Sequence, residues 1–342
     1  MAFFLFGNKK QYTALLLLFF GLLFSIIVGF RSAEVGIDTQ SYYDVFEQIQ
    51  GNNVASWYTK KLGSFFIYLN SFSASLGFDA TFVTFFYAFF TIFFIFLTLY
   101  QQSDNITISL ALFLSGLGIF FFMHNVMRQA LAIAIIFYSI RFLCDKKQIK
   151  FYLVCTVAFF VHASSVFFLP FYYLGRLTPN PLTLIIVWIG TLPFIYNTSL
   201  IIGVLELFSF LIPTQYIGYL SEGDAYSKGG VSAFGLLVLL KQFIFFLLLF
   251  AYKKDFNVEY RRIVYMLTMY SVLIGNLVLG LGLVGRFNEY LAIFMLLGLP
   301  MSICTLVKAK QQPLAFGLIY ILILIIYVRT LIGDGNGLFI SV

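Results

Sequence analysis

Charge is what this sequence has least of. Only 10% of its 342 residues are Asp, Glu, Lys or Arg, where a soluble domain carries about 25%. With 61% of the residues hydrophobic, there is too little polar surface to face water on all sides, and lipid is the solvent that fits. Cysteine is nearly absent. Cys144, Cys155 and Cys304 are scattered in or beside apolar runs, which excludes a disulfide framework and a metal-binding thiolate spacing. No P-loop, no HExxH and no GxSxG stands anywhere in the chain. The +7 net charge belongs to basic loops at a membrane surface, and nothing in it points to nucleic acid.

What the sequence has is long apolar runs. LLLLFFGLLFSIIVGF (15–30) and FTIFFIFLTLY (90–100) are apolar around the whole helix, not on one stripe. The 45 phenylalanines suit lipid-facing surfaces. We place spans near 12–30, 80–100, 106–123, 127–143, 151–175, 181–199, 200–213, 231–251, 263–283, 287–307 and 313–332. Residues 151–175 read either as one long helix or as a broken hairpin, and 200–213 is short enough to be half-inserted. The expected fold is therefore an all-α polytopic membrane protein with about 10–11 transmembrane helices, a single integral membrane domain over 1–342. The first run follows Lys9 and Lys10. It has the length of a span and no clear small-residue cleavage site, so it reads as a retained signal anchor.

The basic loops give the orientation. Lys9 and Lys10, then Arg141, Lys146, Lys147 and Lys150, then Lys253, Lys254, Arg261 and Arg262, then Lys308 and Lys310 all fall on one side. We take that side as cytoplasmic. The arrangement holds only if 62–77, rich in Ser and Gly and interrupted by Asn70, is re-entrant or interfacial. Two outer loops result, one near 31–79 and one near 214–230. No DxD-type nucleotide-sugar motif stands on a cytoplasmic loop. A transferase at the outer face has no nucleotide supply and must use a lipid-linked donor.

Lysines dominate inside, while Arg31, Arg128, Arg286 and Arg329 mark the outer face, with Arg176 there or not according to how 151–175 resolves. A guanidinium is the planar, bidentate phosphate binder. The plain alternative for each is interfacial anchoring. Arg128 and Arg286 open spans that run inward, so helix N-termini with unsatisfied N–H groups stand beside them. Asn125 is placed to cap the Arg128 helix. Two such ends on one cavity would suit a diphosphate.

Tyr42, Tyr43, Trp57, Tyr58, Tyr216, Tyr219 and Tyr226 offer flat faces for sugars or, equally, an aromatic belt at the interface. Asp38, in GIDTQSYY, sits in a tight polar turn whose ordinary explanation is an Asx turn. His162 interrupts FYLVCTVAFFVHASSVFFLP. It lies in mid-membrane if that run is one helix, and at an outward tip if the run breaks at HASS. At a tip it could act as a base or bond a phosphate; otherwise it is a core histidine. Glu206 and Lys241 lie in apolar runs and could pair. Glu289, one turn after Arg286 on the same face, would orient that arginine or serve as a base.

Four segments together resemble the EpsG-type exopolysaccharide proteins, related to Wzy-type O-antigen and capsule polymerases. GIDTQSYYDVF (36–46) resembles their G-x-D-x-x-x-Y pattern. MRQALAIAIIFYSIRF (127–142) resembles the R-Q-x-x-A helix, with Arg128 and Gln129 in the matching places. VHASSVFFLPFYYL (161–174) resembles the H-x-S…P segment, and GRFNEYLAIFMLLGLP (285–300) the late R-x-x-x-Y segment with Arg286 and Tyr290.

The resemblance implies a GT-C-like fold and a polymerase at the outer face of the bacterial cytoplasmic membrane. Its donor and acceptor would be glycan units on undecaprenyl diphosphate, with no metal or soluble cofactor and with a chain-length regulator as a partner. On this reading Arg128, Arg286, Gln129 and Arg31 bind diphosphate. Tyr42, Tyr43, Tyr290 and Tyr216 bind sugar. Asp38, His162 and Glu289 are the candidate bases. A flippase for lipid-linked oligosaccharide and an O-antigen-ligase-like transferase are the competing readings.

Overall fold

A computed structural model describes residues 9–36, 38–51, 63–115, 119–197, 234–279 and 281–333, with Leu200 and Gly203. All regular structure among these residues is helical, and five helices are long and apolar enough to cross a membrane. The chain is an all-α polytopic membrane protein, and it divides into two compact units.

The first unit holds α1 (Lys9–Gly29), α2 (Thr39–Gln50), α3 (Ser64–Ser75), α4 (Ala80–Gln102), α5 (Ile106–Leu114), α6 (Ile119–Asn125), α7 (Met127–Cys144) and α8 (Gln148–Val161). α7 is its centre: Ala130 to Phe137 are buried on every side, because α4 and α8 pack along it. α4 starts where the Asp79 carboxylate caps Thr81 N at 3.1 Å. Its stripe of Val83, Tyr87, Ile92, Ile95 and Leu99 is buried, while Phe93 on the other side stays exposed as a lipid-facing residue would. α3, at 12 residues, spans about 18 Å and is too short to cross a bilayer, which fits the interfacial reading of 62–77.

α7 and α8 form an antiparallel pair closed at Lys146, whose φ of 59° is left-handed. Lys147 N donates to Phe142 O at 2.9 Å, the six-to-one bond that ends a helix this way. α8 does not continue through 151–175. It stops at Val161, His162 is extended (φ −154°, ψ 115°), and a 3-10 helix covers Ala163–Phe168. The Phe168 ring returns to 5.9 Å from Phe151 at the start of α8, so the chain doubles back at His162 and the broken-hairpin alternative is the one found.

The expected cap at Asn125 is not formed. Asn125 is the last residue of α6, and Val126 precedes α7 with no side-chain cap. The levels on either side show a reversal at Val126. Phe120 packs on Phe24 and His124 lies by Arg31, whereas Arg141, far down α7, reaches Gln101 near the end of α4. A reversal made on one residue leaves Asn125 inside the preceding helix.

The second unit holds α9 (Phe171–Leu174), α10 (Pro181–Tyr196), α11 (Phe234–Lys254), α12 (Glu259–Val278), α13 (Gly282–Gly285), a 3-10 turn at Arg286–Asn288, α14 (Glu289–Ala292) and α15 (Met295–Leu306). Arg286–Leu306 together makes one span. Asn180 caps α10 and Pro181 opens it. α12 is the buried centre. Gly298 of α15 lies so close to Thr268 that a Cβ would stand 2.5 Å from its Oγ1, which lets the two backbones approach. Tyr252, next to the Lys253–Lys254 pair, donates its hydroxyl to Pro179 O at 2.9 Å. Arg176 therefore belongs to the basic-turn side of this unit. The last helix, α16 (Gln312–Gly333), groups with the first unit.

Candidate functional site

In the first unit the site is built on the carbonyl of His124. α6 ends there, and its last carbonyls have no partner within the helix. Arg31 Nη2 donates to His124 O at 3.3 Å, and the Thr39 hydroxyl, which donates to Val35 O at 2.7 Å, stands 3.3 Å from the same carbonyl. Arg31 also donates to Val28 O at 2.7 Å, Val35 O at 3.3 Å and Thr39 Oγ1 at 3.2 Å. Gly36, at φ +92°, brings its own backbone against the same carbonyl. Only glycine fits such a φ at such a distance. The segment GIDTQSYY is thereby latched to the turn that launches α7.

This engagement changes the reading of Arg31. Arg31 is 7% exposed, and its guanidinium is held by three carbonyls and a hydroxyl. Burial lowers its pKa to about 10, against small opposing effects of Tyr43 and Tyr42. Arg31 is a staple between α1, α2 and α6, and not an open phosphate ligand.

Arg128 lies two residues past the reversal at Val126, as His124 lies two before it. Its guanidinium lies 5.7 Å from the Tyr42 ring centre and 5.3 Å from that of Phe66, in the range of cation–π contact. The Tyr42 and Phe66 rings are 5.5 Å apart. Tyr42 is therefore buried by Arg128 and Phe66; its ring seats the arginine and has no free face for a sugar. Tyr43 is half-buried and donates its hydroxyl to Arg31 O at 3.3 Å; burial raises its pKa, with Thr84 and Arg31 acting the other way and Asp79 adding to the rise. Gln129 is buried beside Arg128. Asp38 precedes α2 and makes no side-chain cap bond to it.

His162 comes to the same end of the unit. It lies sixteen residues past Lys146, as Ala130 lies sixteen before it, and the antiparallel pairing of α7 and α8 sets it level with the first turn of α7. Its Nδ1 is 2.7 Å from Ser164 Oγ, which fixes the ring at the break.

The second unit carries Arg286, Glu289 and Tyr290. Arg286 and Glu289 are one turn apart at the start of their span, both partly buried. Tyr290 is fully buried and offers no ring face to a sugar. Lys241 of α11 acts electrostatically on Glu289. A polar chain explains how they come to one level. Trp188 Nε1 donates to Gln242 Oε1 at 2.6 Å, Gln242 Nε2 to Asn276 Oδ1 at 2.9 Å, and Asn276 Nδ2 to Thr191 Oγ1 at 2.9 Å. Asn288 packs on Gly275, next to Asn276. These contacts register α11 and the Glu289 turn on the same stretch of α12. Lys241 was expected to answer Glu206, which lies outside the described residues, as do Trp57, Tyr58, Tyr216, Tyr219 and Tyr226. No group of His, Cys, Asp and Glu able to hold a metal occurs among the described residues.

Thr39, Phe66 and Tyr87 carry this geometry and were not singled out by sequence. Thr39 had a signal, two residues from Ser41 in a polar turn. The rings sit in phenylalanine-rich runs that give none. Among known proteins, the model of the EpsG family matches residues 14–341. No curated protein and no solved structure matches the chain.

Proposed function

Since the chain belongs to the EpsG family, whose membership implies a polysaccharide-polymerase type of role, we propose that it joins oligosaccharide units carried on undecaprenyl diphosphate. The reaction takes place at the outer face of the bacterial cytoplasmic membrane, with the N-terminus inside. Donor and acceptor are both lipid-linked glycans. The acceptor hydroxyl oxygen attacks the anomeric carbon of the donor chain, the bond from that carbon to the diphosphate oxygen breaks, and undecaprenyl diphosphate leaves with the electron pair. The hydroxyl proton passes to a base, for which His162 and Asp38 are the candidates in the first unit. Arg128 meets the charge that develops on the leaving diphosphate. Arg286 is a second phosphate-binding candidate, with Glu289 as its neighbour.

The observation that supports this reading most is the assembly around His124. The GIDTQSYY latch, the Arg128 seat and the His162 break, three separate stretches of sequence, come to one end of one unit. A helix start carrying a cation, with candidate bases at the same end of the unit, suits departure of a diphosphate.

The test is the length of surface glycan on a gel, in a deletion strain complemented with wild type or Arg128→Ala. Deletion should leave single units, wild type should restore a ladder, and stably expressed Arg128→Ala should not. Units absent from the surface acceptor would point to a ligase, and units not exported to a flippase. An unchanged ladder in the deletion strain would end the polymerase reading.

A further inference from the structure

Tyr87 lies in the middle of FFYAFF on α4, where a phenylalanine would be expected to serve as well. Its side chain is 0% exposed, and its hydroxyl has no hydrogen-bond partner among the described residues. Leaving a buried hydroxyl unpaired is unfavourable, so a tyrosine here calls for a partner that the described residues do not supply.

The surroundings indicate which kind. The Tyr87 ring packs on Phe66 at 6.2 Å and on Phe65 at 6.3 Å, and Phe66 is one of the two rings that seat Arg128. Arg128 and Tyr42 both act electrostatically on the Tyr87 hydroxyl. The levels agree. Thr84 donates to Gly29 O at 2.5 Å, and Tyr87 is one turn below Thr84. His124 is tied to Arg31 just past Gly29, and Arg128 stands across the Val126 reversal from His124, in the first turn of α7. A neutral O–H donor and a guanidinium thus flank the start of α7, where helix N–H groups add positive potential. Such a set of donors accepts the oxygens of an anion.

We propose that Tyr87 is a phosphate ligand: its hydroxyl donates to a diphosphate oxygen held by Arg128. The proposal rests on Arg128 binding the diphosphate and adds a residue to that site. The hydroxyl is buried, with Phe66 packed on the Tyr87 ring and Tyr42 packed on Phe66. A ligand reaches it when those rings turn aside, a side-chain change of the kind common on binding.

Tyr87→Phe separates the possibilities because it removes one oxygen and keeps the ring. The full chain in detergent is titrated with inorganic pyrophosphate and followed by its melting temperature, as wild type, Tyr87→Phe and Arg128→Gln. We expect wild type to be stabilised by pyrophosphate and Arg128→Gln not to respond. We expect Tyr87→Phe to need about tenfold more pyrophosphate, while its ligand-free melting temperature is unchanged or higher because an unpaired hydroxyl is gone. If Tyr87→Phe binds like wild type while Arg128→Gln does not, the ligand role of Tyr87 is overturned and Arg128 stands. A drop in its ligand-free melting temperature also overturns the role, since the hydroxyl would then have a structural partner. If Arg128→Gln binds like wild type, or wild type ignores pyrophosphate, both residues are removed from the site together.

Discussion

Gly36 lies directly against the carbonyl of His124, so close that a methyl group on it would stand 2.2 Å from the oxygen. Gly77 offers a control. It also has a positive φ, 75°, but nothing lies within 4 Å of where its Cβ would be. Gly77→Ala should lose only the left-handed backbone cost, about 1–2 kcal/mol. Gly36→Ala must also displace the His124 carbonyl from Arg31 and Thr39, and should lose roughly 3 kcal/mol or more. Thermal melts of the full chain in detergent measure both. Equal losses would mean that the latch is not tight.

Arg31→Lys tests whether Arg31 is a staple. An ammonium is a point charge and cannot reproduce a fork spread over Val28, Val35 and His124 carbonyls. We expect a lower melting temperature and less protein in the membrane. Glycan ladder length per molecule of folded protein should be kept. Loss of polymerisation at unchanged stability would return Arg31 to the phosphate site.

These two residues show where sequence reading succeeded and where it could not. GIDTQSYY stood out as a polar turn because Gly, Asp, Thr and Ser sit together after an apolar span. The break at His162 was legible as a choice between two shapes, since a polar HASS insert is equally a buried interruption or a tip. Only the return of Phe168 to Phe151 decides it. Partners were not legible. Arg31 and Arg128 look alike in sequence, both arginines at helix ends, yet one is spent on carbonyls and the other rests on two rings. Tyr87 was invisible because a tyrosine among phenylalanines looks like one more lipid-facing ring. Asn125 misled because a good capping residue caps nothing when the chain turns one residue later.

Lys241 and Glu289 make a prediction about pairing. A lone charge in an apolar span is costly, so Lys241→Met should destabilise by leaving Glu289 without its counter-charge, by about 1–2 kcal/mol given that Glu289 is only partly buried. Adding Glu289→Gln should recover most of that loss, a coupling that a double-mutant cycle reads directly. If the second change gives no recovery, Lys241 answers another acid, and Glu206 becomes the one to test.

Asp255 provides a prediction about pH. It sits in the turn between α11 and α12, outside the spans. Burial pushes its carboxyl up, but hydrogen bonds from Thr305 at 2.5 Å, Arg261 at 3.1 Å and Tyr265 at 3.0 Å outweigh it and hold the carboxyl below its ordinary range. A folded pKa below the unfolded one stabilises the protein at every pH above the ordinary carboxylate range, and that contribution is lost as the pH falls through the folded value. Asp255→Asn keeps the shape but gives up the charge that three donors share. At neutral pH it should melt lower, by about 2 kcal/mol of stability. Its stability should also change less with acid than that of wild type. The melting curves of the two proteins, followed from about pH 8 to pH 3, should therefore converge at the acid end. Parallel curves would show that the carboxylate is not what joins this turn to Thr305 at the end of α15.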